Sequence, residues 1–189
     1  MARPQVKDVD TTNYPGFDEL FGLIDEPLQT SLREQHSSWL PLFKASQGAR
    51  HNHHAWQPFG YLDHIQDCMA LAVTLYQHLS LTRPLPFSLS SALAVLYLHD
   101  VEKPFRYVRN EPNLETKEQR KQFRREFVFK WEIPLSPAEI RALDLVEGEN
   151  EEYSPNHRVM TQLDAFCHVC DTMSARIWFD FGISRVKTK

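Results

Sequence analysis

Two residues able to do chemistry stand side by side at the end of an apolar run, Ser90-Ser-Ala-Leu-Ala-Val-Leu-Tyr-Leu-His99-Asp100-Val-Glu-Lys103. A helix there is apolar nearly all round, so it is expected to be central and buried. It would deliver an imidazole and a carboxylate into an apolar surround, which costs free energy unless they are paired. A divalent metal supplies that pairing, and a buried hydrogen-bonded pair without metal is the alternative. Adjacent side chains diverge by only ~100°, and a helix-terminal turn can relax, so both can close on one ion.

The order His, then His-Asp, then Asp, each on its own helical stretch, resembles the HD superfamily of metal-dependent phosphohydrolases. The matching residues are His64 in Gly60-Tyr-Leu-Asp-His64, the His99-Asp100 doublet, and Asp171 in Cys167-His-Val-Cys-Asp171-Thr-Met-Ser-Ala. The segment from His53 to His64 is similar to the entry helix of HD-type exoribonucleases and related hydrolases, and the likeness covers roughly residues 50–180. Glu102 stands where the family commonly has Gly, whereas Lys103 is retained.

The resemblance implies a metal site of His64, His99, Asp100 and Asp171. Such a mixed nitrogen and oxygen set suits a divalent transition metal (Mn, Fe, Co, Ni or Zn) and also admits Mg. The ion would lower the pKa of a water from about 15.7 towards 7 and polarise a phosphoryl oxygen. Asp100, Lys103 and Glu102 would then be the catalytic group, with Lys103 neutralising charge on the phosphoryl oxygens and Glu102 orienting water or shuttling a proton. Some members hold a second metal, for which His157, His168 and Glu147 are the residues on offer. The implied activity is hydrolysis of a nucleotide or short-oligonucleotide phosphoester. A di-iron oxygenase and a non-catalytic nucleotide-binding HD module are the alternatives.

Around these residues lie candidates for substrate contact. Arg50, His51, His53 and His54 precede the first ligand by 10 to 14 residues and could bring donors to a phosphate. Lys117, Arg120, Lys121, Arg124 and Arg125 could attract an anion, although such a run is more often a solvated face. Arg158 and Arg176 could do the same from the last helix. Trp56 and Tyr61, with Phe59, Phe105 and Tyr107, could stack on a base, or belong to the core. Cys167 and Cys170, with Cys68 alone remaining, cannot make a four-cysteine zinc site and read as small core residues.

The elements that must position these residues are helical. Phe17, Leu20, Phe21 and Ile24 fit one face of a short helix. Pro27 could open a second, with Leu28, Leu32, Trp39, Leu40 and Phe43 on its apolar side. The helical period returns from Tyr61 through Leu62, Ile65, Met69, Ala72, Val73 and Tyr76. Ser88 or Ser90 caps the central helix, and Pro104 is consistent with its ending there. Residues 114–131 read as an exposed basic helix. Ser136-Pro137-Ala138-Glu139 starts one that runs to about Val146. The last runs from about Arg158 through Trp178. The fold class expected is all-α, an HD-domain-like bundle of about seven helices, with a loose arm over 1–16 and one domain over 17–185.

The 189 residues carry 42% hydrophobic residues, enough for a sizeable core, and only 6 glycines, too few for many tight hairpins. A net charge of −4 argues against an extended duplex nucleic acid or a membrane surface as partner. The expected partner is a small phosphorylated, nucleotide-like substrate, with an oligomer left open. The polar opening stretch and the odd cysteine count suggest a reducing cytoplasmic location.

Overall fold

A computed structural model describes residues 15–46, 60–149 and 152–177 of the chain. Among them are eight helices: α1 (Phe17–Phe21), α2 (Leu28–Ala45), α3 (Tyr61–Thr82), α4 (Leu89–Leu98), α5 (Glu102–Tyr107), α6 (Lys117–Lys130), α7 (Pro137–Leu145) and α8 (Gln162–Arg176). The all-α expectation holds, with α1 and α5 only five and six residues long. No described helix is long and apolar enough to cross a membrane. The expected loose arm lies almost wholly outside the described residues.

The centre is α4. Every residue from Ala92 to Leu98 is buried, so the helix needs apolar neighbours on all sides, and it has them. It packs on α3, α7 and α8, while α8 also lies against α3 and α7. Helices α2, α5 and α6 wrap around this group, α2 on α3 and α5, and α6 on α5 and α7. Leu32, Phe43, Ile65, Met69, Leu93, Leu96, Leu143 and Cys167 belong to one continuous core.

Local chemistry sets the helix starts. The hydroxyl of Ser88 accepts from the Ser91 amide and caps α4. Ser90 ties in another segment, since its hydroxyl accepts from the Asp25 amide. Reciprocal caps start α6 (Thr116 with Gln119), α7 (Ser136 with Glu139) and α8 (Thr161 with Asp164). The last of these corrects an expectation: α8 begins at Gln162, after the Thr161 cap, and Arg158 and His157 lie in the loop before it. Pro104 does not follow α4 directly but sits third in α5, where a missing N–H costs no helical bond.

The basic helix departs most from its expected character. Its side chains are spent on neighbouring acids: Arg125 pairs with Asp144, Lys121 with Glu152, and Arg120 and Arg124 with Glu147. Arg124 is not exposed at all; its side chain is 0% accessible. No hydrophobic period flags this, because a buried arginine breaks the period that defines the buried face.

Candidate metal centre

Three mutually packed helices bring the site together. His64 is the fourth residue of α3, His99 caps the C-terminal end of α4, Asp100 follows it, and Asp171 lies in the second half of α8. The start of α3 is pinned by two contacts. The Tyr61 amide donates to the Ser46 carbonyl at 3.1 Å, and the Asp63 carboxylate accepts from the Gly60 amide at 2.9 Å. A Cβ at Gly60 would stand 3.2 Å from the Ser46 oxygen, so a side chain there would push the two segments apart by a few tenths of an ångström.

The four expected residues converge. Nε2 of His64 is 3.3 Å from Nε2 of His99, 3.4 Å from Oδ2 of Asp100 and 3.2 Å from Oδ1 of Asp171. Nε2 of His99 is 3.5 Å from each of the same two oxygens. Around an ion with bonds of about 2.1 Å, neighbouring donors stand about 3.0 Å apart in an octahedron and about 3.4 Å apart in a tetrahedron. The observed distances, from 3.2 to 3.5 Å, lie at the tetrahedral end of that range.

The tautomers agree with this geometry. Nδ1 of His99 donates to the Leu96 carbonyl at 2.6 Å, leaving the lone pair of the neutral ring on Nε2. Nδ1 of His64 lies 3.0 Å from the Ser174 hydroxyl, which can accept its proton and so leave the Nε2 lone pair facing the same point. Two nitrogen lone pairs and two carboxylate oxygens therefore face one point, an arrangement that calls for a cation. These buried His and Asp groups are positioned to bind a metal ion, and the donors do not choose which.

The electrostatics follow from that crowding. Burial opposes charge on both histidines, but the Asp100 and Asp171 carboxylates overcome it and raise both pKa values, that of His99 to about 9. Burial likewise opposes the Asp171 carboxylate, and the His64 and His99 imidazoles outweigh it, holding its pKa well below the usual range. For Asp100 burial is outweighed by Lys103, His99 and His64. The Lys103 ammonium donates directly to Asp100 Oδ2. Asp171 and Lys103 are the members with outlets to solvent, at 22% and 18% side-chain exposure.

Sequence reasoning missed two participants. Cys68, one helical turn after His64, places its sulfur 3.7 Å from both ring nitrogens and within 4.8 Å of the His99 and Asp171 donors. Burial pushes its thiol pKa up. Ser174 occupies the equivalent place three residues after Asp171 on α8. The i, i+4 and i, i+3 spacings were the available signals.

Other expectations change. Glu102 does not face a water at the site mouth: it is sealed from solvent and set against Arg124, with 3.2 Å between Oε1 and Nη1. Burial raises its pKa despite that arginine. Tyr61 cannot stack on a base, because it is buried in the core against Phe43. Phe105 is likewise enclosed by Trp39 and Phe123.

The proposed second-metal set does not assemble. His157 is exposed in a loop, and Nδ1 of His168 is committed to the Val146 carbonyl at 2.7 Å. Glu147 instead groups with Asp100 and Glu102, their oxygens within 4.8 Å of one another. Arg158 and Arg176 are both exposed, Arg158 in the loop before α8. Arg176, five residues after Asp171, is rotated about 140° from it around the helix. His54 and Trp56, with Arg50, His51, His53 and Phe59, lie outside the described residues.

Comparison with protein-family models, with curated proteins and with solved structures returns no match for this chain.

Proposed function

We propose that this chain is an HD-type metal-dependent phosphohydrolase acting on a nucleotide or short-oligonucleotide phosphoester. The observation that carries the reading is the meeting of His64, His99, Asp100 and Asp171 around one point. A divalent ion bound there supplies Lewis acidity and a water of lowered pKa, which is the chemistry phosphoester hydrolysis needs.

The chain's own residues do the rest. Leu96 and Ser174 hold the two imidazoles with Nε2 inward. Asp171, partly open to solvent, marks the side from which a phosphate enters. Lys103 keeps its ammonium at that same edge, where it neutralises charge developing on the phosphoryl oxygens. Its pKa is raised by Asp100 against the opposing effect of burial, so it stays charged through neutral pH. The nucleotide-like substrate rests on the family resemblance; Tyr61 and Phe105, two of the described aromatics expected to receive a base, are in the core.

The test combines metal analysis with a panel of nucleotides and short oligonucleotides. With Mn²⁺ or Co²⁺ the chain should release phosphate or a nucleotide from at least one panel member. Asp100→Ala should reduce that release at least ~10³-fold, the scale expected when the metal is lost. A chain that retains no ion, and leaves every phosphoester intact, would sink the proposal.

A further inference from the structure

A second cluster of acids lies behind the first. Oxygens of Asp100, Glu102 and Glu147 stand within 4.8 Å of one another, and the first two residues are buried. By spacing alone this is a place for a second cation beside the first centre. It already has one. Nη1 of Arg124 sits 3.2 Å from Oε1 of Glu102 and 3.2 Å from Oε1 of Glu147, bridging the two carboxylates. Only the Glu147 contact has hydrogen-bonding geometry. Both Glu102 oxygens, with Nε and Nη2 of Arg124, are buried with no hydrogen-bond partner among the described residues.

A buried ion pair short of hydrogen bonds gains little net free energy from its attraction, but stripping away one partner leaves the other as an uncompensated buried charge, at large cost. The charge count is then decisive. Glu102 and Glu147 bring two negative charges; Arg124 returns one between them, and Arg120, with Nη2 3.5 Å from Oε2 of Glu147, stands against the second, both permanently, because arginine does not deprotonate in proteins. A divalent ion entering this cluster would meet the fixed Arg124 charge at close range, in surroundings of low dielectric. Arg124 is rooted in the middle of α6, so it cannot swing clear as a surface side chain would.

We infer that Arg124 is a built-in cation that takes the place of a second metal, restricting the centre to a single ion. This rests on the reading of His64, His99, Asp100 and Asp171 as that ion's ligands. Arg124 touches no substrate; it is a positioning residue that holds Glu102 and Glu147 behind the ligand Asp100.

Equilibrium dialysis of the full chain against Mn²⁺, with metal counted per chain, tests this. The wild type should saturate at one Mn²⁺. Arg124→Gln should saturate at two, and Mn²⁺ should raise its unfolding temperature in two steps rather than one. Arg124→Gln combined with Glu102→Gln, which removes both buried charges, should fold and return to one. Two ions in the wild type, or one in Arg124→Gln, overturns the inference and leaves the first centre standing. So does an Arg124→Gln chain that no Mn²⁺ concentration folds while the double variant does fold. No ion in the wild type fails the underlying reading, and the inference falls with it.

Discussion

The two acid clusters of the interior share Asp100 and differ in how their charge is balanced. In the first, four donors from α3, α4 and the turn after it, and α8 face one point, and the covalently attached cation among the described residues is Lys103, a point charge on a flexible stem at the solvent edge. In the second, a fully buried guanidinium is clamped between two carboxylates. Lysine and arginine are not equivalent here: the ammonium can exchange its partner, whereas the planar fork in the core cannot. A cluster of acids is therefore not a metal site by proximity alone. What matters is whether the chain has already committed a cation to it.

The sharpest way to break the contrast is to remove a donor from the first cluster. Asp171→Ala should abolish tight metal binding, weakening it by at least ~10³-fold, while the chain still folds, since that side chain is partly solvated. Dialysis followed by metal analysis reads this, and undiminished binding would show that Asp171 is not a ligand. Next in size, Arg124→Met should cost about 3–5 kcal/mol in urea unfolding, because two carboxylates lose their buried partner. A loss below about 1 kcal/mol would mean the pair is no more than a surface contact.

Ser174→Ala releases the His64 ring and should weaken metal affinity roughly 10- to 100-fold with the fold intact. Protons should act in the same direction. The His99 pKa is raised to about 9 and that of His64 is also raised, so below that range a metal must displace protons from the imidazoles. Apparent affinity should rise by at least about 100-fold from pH 6 to pH 8. In chelator-treated chain the sign for stability is opposite. The contribution from protonated His99 is fully present below its unfolded pKa of about 6.5 and is lost as pH rises towards about 9. An affinity flat with pH would remove the imidazoles from the ligand set.

The smallest effect belongs to the scaffold. Ser88→Ala removes the α4 cap and should cost about 1 kcal/mol in stability, with metal stoichiometry unchanged. A change in metal count from that variant would tie the site to the helix start rather than to its end.

Much of this was legible before any coordinates. The apolar run from Ala92 to Leu98 required burial whatever the topology, so a His-Asp doublet at its end had to be an interior polar feature. The resemblance to the HD pattern, and not the periodicity, then pointed to His64 and Asp171 as its partners. Caps at Ser88 and Ser136 follow from local rules that act within one turn. The boundary of α8 was misjudged because a helical pattern before Thr161 looked continuous, and the reciprocal cap overrode it.

What the chain's one-dimensional order determined was the helical class and the residues able to ligate, since periodicity and residue type are local properties. Tertiary packing alone decided which of the charged residues meet. It enclosed Tyr61, turned Glu102 from the site mouth to Arg124, drew Ser174 beside His64, and left His157 outside. Such outcomes depend on contacts between residues tens of positions apart, and for a charged side chain no sequence period records whether its partner will be water or another buried charge.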